Sequence, residues 1–232
     1  MSSRIGSRVS ILNKIAAGSA AGSVTADSAN FPREYTRRGS LDAEARTAKM
    51  IERLREYDTE VTECTPDHLT SAIAEQLAQS GRKSFVVPAG LAAEWLAPGF
   101  DWKVDGMQTG PALPTAEIEN CEGVMTACFC AVADSGTIVL HHSAAEGRRV
   151  VSLLPDWHLC ILRAGQIVET LPEYFDRCSQ IPALATWISG PSATADIEMT
   201  RIKGVHGPRF LNVIVVRDDS GAAGNRDERL AM

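Results

Sequence analysis

Residues 59–87, TEVTECTPDHLTSAIAEQLAQSGRKSFVV, decide the fold. Thr59–Cys64 reads as a strand. Thr65 then stands at a helix N-cap, with Pro66 at the first helical position and Asp67 in the first turn, and Gly81 closes the other end. Between them Leu69, Ile73 and Leu77 recur at helical spacing and mark the buried face. Ser84–Val87 follows as a short apolar strand, Leu91–Leu96 as a short helix and Trp102–Val104 as another strand. This alternation predicts an α/β layer with a largely parallel sheet. Just upstream, Ser40 is placed to cap a helix that carries Leu41, Ala45, Ala48, Ile51 and Leu54 on one side.

The downstream half is richer in strands. Val124–Ala133 and Thr137–His141 flank the turn Asp134-Ser135-Gly136, and Val150–Leu154 and His158–Leu162 flank Pro155-Asp156-Trp157. Leu171–Cys178 reads as a helix, Ala185–Ile188 as a strand running into a polar loop, and Leu211–Val216 as a final apolar strand. The organisation expected is one α/β domain over residues 40–217, an open sheet with flanking helices. A helical arm and connector precede it at 1–39, and a charged, glycine- and alanine-rich flexible tail follows at 218–232. In the arm, Ile5, Val9, Leu12 and Ile15-Ala16 recur as on one side of a helix. The same basic, acid-free, serine-containing start also fits an organellar transit peptide. No apolar core of a secretory signal follows it, and the expected location is the cytoplasm.

The chain has 232 residues, 44% hydrophobic and 22% charged, with a net charge of −6, which is the balance of an ordinary globular protein. An acidic surface argues against non-specific nucleic-acid binding. No run approaches the ~20 apolar residues that span a bilayer, so no membrane insertion is expected. Six cysteines lie in apolar surroundings and read as free thiols. They lack the short spacings of an iron–sulfur site. Cys128 and Cys130 would share one side of a strand, but His141 and His142 are adjacent and would face opposite ways, so no metal site is expected. A P-loop, a dinucleotide GxGxxG and a GxSxG elbow are absent, and no cofactor is expected.

The chemistry concentrates in residues 189–208, SGPSATADIEMTRIKGVHGP. Two Gly-Pro turns fix the backbone, because glycine reaches positive φ and proline locks φ near −65°. Between them hydroxyls and main-chain N–H groups are dense enough to hold an anion. Ser189, Gly190, Ser192, Thr194, Asp196 and Gly207 are the candidate binding residues. Asp196 and Glu198 would share a side on a strand and diverge on a helix, and a helix start at Thr194–Ile197 is the rival. Ligands of open α/β sheets bind beyond the carboxyl ends of strands, where this loop is expected to sit. Asp134 is the candidate base or nucleophile and His206 the candidate acid or base. Ordinary turn bonding is the alternative for Asp134 and for Asp156, and a structural role for His206.

Three ordered blocks, ADSGTIVL (133–140), RVVSLLPDWHLCIL (149–162) and ISGPSATADIEMTRIKGVHGPRFLNVIVV (188–216), together with FPREY (31–35), resemble the lactate-utilisation protein C family, the LUD domain. One position departs from the family pattern: its AETGT turn is Ala133-Asp134-Ser135-Gly136-Thr137 here, with a carboxylate arm one methylene shorter. The resemblance implies a fold similar to that of sugar-phosphate isomerases and CoA-transferases. It also implies the role of a non-iron–sulfur component in a multi-protein system that oxidises L-lactate to pyruvate, alongside partners that carry the iron–sulfur clusters. The 189–208 loop would then hold a small anionic ligand. The alternative is a free-standing enzyme of the CoA-transferase or sugar-phosphate isomerase type using Asp134. A structural scaffold with a vestigial pocket is a third option. The resemblance supplies no catalytic residue.

Overall fold

The computed structural model describes residues 3–21, 34–106, 110–195, 201–203 and 207–217. The chain divides into two units, Met1–Tyr35 and Thr36–Met232. In the first, helix α1 (Ser3–Ala21) carries Val9, Leu12 and Ile15 exposed to solvent. Among the described residues no helix is long and apolar enough to cross a membrane.

The second unit begins its regular structure with α2 (Ala43–Glu56). Its cap is Asp42, whose carboxylate accepts the Ala45 N–H at 2.8 Å. The start therefore falls two residues past Ser40, because Leu41 is drawn away: its N–H donates to Glu169 at 2.7 Å. β1 (Glu60–Cys64) follows. A 3-10 turn at Pro66–His68 leads into α3 (Leu69–Gln79). Thr65 has the extended backbone of a cap, but its hydroxyl pairs with His68 Nδ1 at 2.9 Å instead of a backbone N–H. Gly81, at φ +69°, turns the chain into β2 (Ser84–Pro88), and β3 (Asp101–Asp105) lies beside it. The remaining elements are α4 (Thr115–Glu119), β4 (Gly123–Ala127), β5 (Cys130–Val132), β6 (Thr137–Leu140), α5 (Arg149–Leu153), β7 (Trp157–Arg163), β8 (Ile167–Val168), α6 (Leu171–Arg177), β9 (Thr186–Ile188), β10 (Ala193–Ala195), β11 (Arg201–Lys203) and β12 (Phe210–Val216).

Six strands form a wholly parallel sheet in the order β1-β12-β7-β4-β2-β3. Alternate residues of its central strands feed two cores, as a sheet covered on both sides requires. Leu159 and Ile161 of β7 and Ile214 of β12 meet Ile73 and Leu77 of α3. On the opposite side Leu162, Val213 and Val215 pack with Met50 and Leu54 of α2 and with Ile138 and Leu140 of β6. Each such side chain, fully buried, contributes roughly 1.5–3 kcal/mol relative to exposure.

A second, four-stranded sheet, ordered β8-β5-β6-β9, supplies part of that cover, and β10 pairs antiparallel with β11 as a separate two-stranded sheet. The second sheet changes the expected path. The run 124–133 is not one strand: it leaves the parallel sheet after Ala127 and joins the smaller sheet at Cys130. Cys128 and Cys130 consequently enter different cores and share no side of a strand. Residues 149–153 are helical despite the strand preference of Val150 and Val151, because Val151 buries completely among Val86, Ile118 and Val124. Ala193–Ala195 is a strand, so no helix starts at Thr194.

Candidate functional site

Two glycines shape the loop that carries most of the hydroxyl residues. Gly190 has φ +81°, and a Cβ there would fall 2.4 Å from Tyr57 Cβ, so neither the conformation nor the space admits a side chain. Gly207 has φ +139°. The Ser192 N–H donates to the Pro208 carbonyl at 2.8 Å and ties the two ends of the loop together. Beside that clasp lies a cavity of about 310 Å³. It is bounded by α5 (Arg149, Ser152, Leu153), by β9 and Ser189–Ala193, and by Gly207, Pro208, Leu211 and His158.

His158 and Leu211 are the second residues of β7 and β12. The cavity therefore opens at the amino-terminal ends of these strands, opposite to the carboxyl edge expected from open α/β sheets. The reason is that Gly207 and Pro208 lead directly into β12, which begins at Phe210, so this side of the cavity lies at the amino end of that strand.

A hydrogen-bonded chain orients the cavity's cation. His142 has φ +59°, and its Nδ1 lies 2.8 Å from the Gly147 carbonyl. A carbonyl only accepts, so Nδ1 carries the proton in the neutral ring and Nε2 accepts from the Thr186 hydroxyl, 2.8 Å away. Thr186 Oγ1 thereby keeps a lone pair for the Arg149 guanidinium, at 3.2 Å. Arg149 is exposed and has no carboxylate partner among the described residues. On the cavity wall the Ser189 hydroxyl bonds Thr137 Oγ1 at 2.7 Å, which bonds Ser135 at the same distance. Deeper, His158 is almost wholly buried and pairs Nε2 with Thr126 Oγ1 at 2.8 Å. Burial pulls its pKa down to about 4, so the ring is neutral at pH 7.

Of the residues singled out by sequence, Ser189, Gly190, Ser192 and Gly207 line this one cavity. Thr194 lies on β10, its backbone registered with Ile202 of β11. Asp196 and His206 lie outside the described residues. Asp134 is elsewhere: it is not among the cavity residues, and its carboxylate meets Lys49 Nζ at 2.5 Å. Asp156 is not spent on its own turn. Arg209 holds both its oxygens at 2.5 and 3.0 Å, with Arg82 at 3.5 Å, and these cations lower its pKa from the usual carboxylate value. Sequence reasoning missed Arg149, Thr186 and His158. Only the misread helix at 149–153 could have drawn attention to Arg149, and the Thr126–His158 pairing leaves no local signal. Among the described residues no three His, Cys, Asp or Glu side chains are grouped to hold a metal ion.

A parallel α/β sheet faced by a small mixed sheet, with a polar cavity between β9 and the amino ends of β7 and β12, defines a domain of the α/β class. Within that class, the LUD domain model matches residues 47–216, and the chain belongs to the LUD domain family. It is 41% identical over 168 residues to lactate utilization protein C of Deinococcus radiodurans, covering 71% of this chain and 76% of that protein. It is 33% identical over 183 residues to lactate utilization protein C of Bacillus licheniformis, covering 71% and 75%. The crystal structure of a DUF162 family protein from Deinococcus radiodurans superposes with a TM-score of 0.61 at 34% identity, spanning 76% of this chain and 99% of that one.

Proposed function

We propose that this chain serves lactate utilisation as a component without iron–sulfur clusters of its own. It would work in a multi-protein system that oxidises L-lactate to pyruvate, with partners that carry the clusters. Its part is to hold an organic anion in the cavity beside the 189–208 loop. The observation that carries the binding half of this reading is Arg149, an exposed guanidinium at the cavity whose one hydrogen bond among the described residues goes to a neutral hydroxyl. A cation without a carboxylate partner among the described residues, flanked by Ser152, Thr186, Ser189 and Ser192, suits a carboxylate. The naming of the two relatives supports the lactate half. Asp134 is ion-paired with Lys49 and does not line the cavity, which weighs against a separate enzyme working through it.

The test is lactate-dependent electron transfer in cells lacking this chain, complemented by the unaltered sequence or by Arg149→Gln. Restoration by the former and failure by the latter is the expected result. Full electron transfer without the chain would overturn the subunit role, and full restoration by Arg149→Gln would overturn the site.

A further inference from the structure

Successive side chains of β9 point to opposite sides of the small sheet. Thr186, bonded to His142 and Arg149, faces the cavity. Trp187, registered against Val139, lies on the far side with α6. There Tyr174 of α6 is buried, its ring centroid 4.7 Å from the Trp187 indole and 5.0 Å from the Phe175 ring. Both neighbours stay open to solvent, Trp187 at 43% and Phe175 at 47%. Leu171, four residues before Phe175 and so on the same side of α6, is exposed as well. So are Ile181 and Leu184, in the segment that joins α6 to β9.

Single exposed apolar side chains are ordinary, but a group of large ones around a braced aromatic pair marks an interaction surface. Side chains of this size, each about half exposed, leave about 500 Å² uncovered together. A specific interface needs roughly 1,000 Å² or more counted over both partners, so a second copy of the same patch supplies the missing half. The strand beside the patch points the same way. Among the described residues β9 pairs only with β6, which leaves its outer edge next to Trp187 without a strand partner. An identical edge running antiparallel completes such an edge, and a two-fold axis beside β9 brings one there.

We infer that this face is a homodimer interface, in which two copies meet about a two-fold axis next to β9 and bury Leu171, Phe175 and Trp187 against one another. Because Thr186 belongs to the same strand, the contact braces the cavity wall from behind.

Analytical ultracentrifugation of the full-length chain tests this, and the expected result is a concentration-dependent equilibrium between monomer and dimer. Phe175→Glu and Trp187→Arg should each weaken the dimer at least about tenfold. Val104→Glu, at an exposed position of β3 in the other sheet, should leave it unchanged. A chain that stays monomeric at every concentration overturns the proposal, as does a dimer that both patch variants leave intact. Hydrogen exchange on the unaltered chain decides the matter even where a variant fails to fold. Protection of β9 and α6 should rise with protein concentration, and exchange there that ignores concentration overturns the interface.

Discussion

Arg148 donates through Nε and Nη2 to the two oxygens of Asp105, at 2.9 and 2.7 Å, and the Asp105 side chain is wholly shielded from solvent. Leu113 completes the cluster, giving its N–H to Asp105 and accepting from Arg148 at its carbonyl. The pair joins the end of β3 to the residue that precedes α5, and so fixes the helix on which Arg149 stands. Arg148→Met would strand a buried carboxylate with a single N–H donor. Breaking a buried pair in this way costs about 3–5 kcal/mol. Urea denaturation should show that loss, together with weaker anion binding through displacement of Arg149. A change under about 1 kcal/mol would mean that packing of Val151 alone holds α5.

Gly190→Ala should destabilise the fold by about 1–3 kcal/mol from backbone strain, before any collision with Tyr57 is counted. Gly165 provides the control, since a Cβ there meets nothing within 4 Å. Thermal melts should separate the two substitutions clearly. Equal melting temperatures would show that the 190 turn relaxes freely.

His158 makes stability depend on pH. Its folded pKa of about 4 lies below the ordinary histidine value, so the unfolded chain binds the extra proton first as pH falls. The contribution is complete above about pH 6.5 and is lost on the way down to about pH 4. Between pH 7 and pH 5 the loss comes to about 2 kcal/mol. His158→Gln, which can still bond Thr126, should flatten that part of the profile in denaturant titrations. An unchanged slope would show that this ring is not the group responsible.

Asp134→Asn removes the partner of Lys49 at an exposed pair, and stability should move by no more than about 1 kcal/mol. Carboxylate binding measured by calorimetry should be unaffected. A marked loss of affinity would return Asp134 to the site.

The sequence was most legible where the chain is buried on both sides. Leu211–Val216 and His158–Leu162 are mostly apolar runs, broken only by Asn212 and by the leading His158, because parallel strands have no solvent side, and both form strands close to the expected bounds. The smaller sheet was legible only in part: Thr137–His141 and Ala185–Ile188 form β6 and β9 close to the expected bounds, while β5 reads as a continuation of the run from Val124 and β8 does not stand out at all. Its strands span two to four residues, too few for a period to declare itself, and the break after Ala127 contains no glycine or proline to announce it. Val150 and Val151 misled because burial among distant residues outweighs a local preference for strand. At the cavity, clustered hydroxyls and Gly-Pro turns brought Ser189, Gly190, Ser192 and Gly207 to notice. Arg149, Thr186 and His158 come together only through tertiary structure and left no trace in spacing.

Among the described residues β1 finds its only strand partner in β12, with Glu60 registered against Asn212 and Cys64 against Val216. During synthesis the earliest strand of the sheet therefore waits, unpaired along both edges, until the last one leaves the ribosome. Arrival of that strand inserts it between β1 and β7 and closes the sheet in one late step, delivering Leu211 to the cavity at the same moment. A nascent chain halted short of residue 210 would hold neither a continuous sheet nor a finished cavity, and its exposed β1 edge would be open to pairing with other chains.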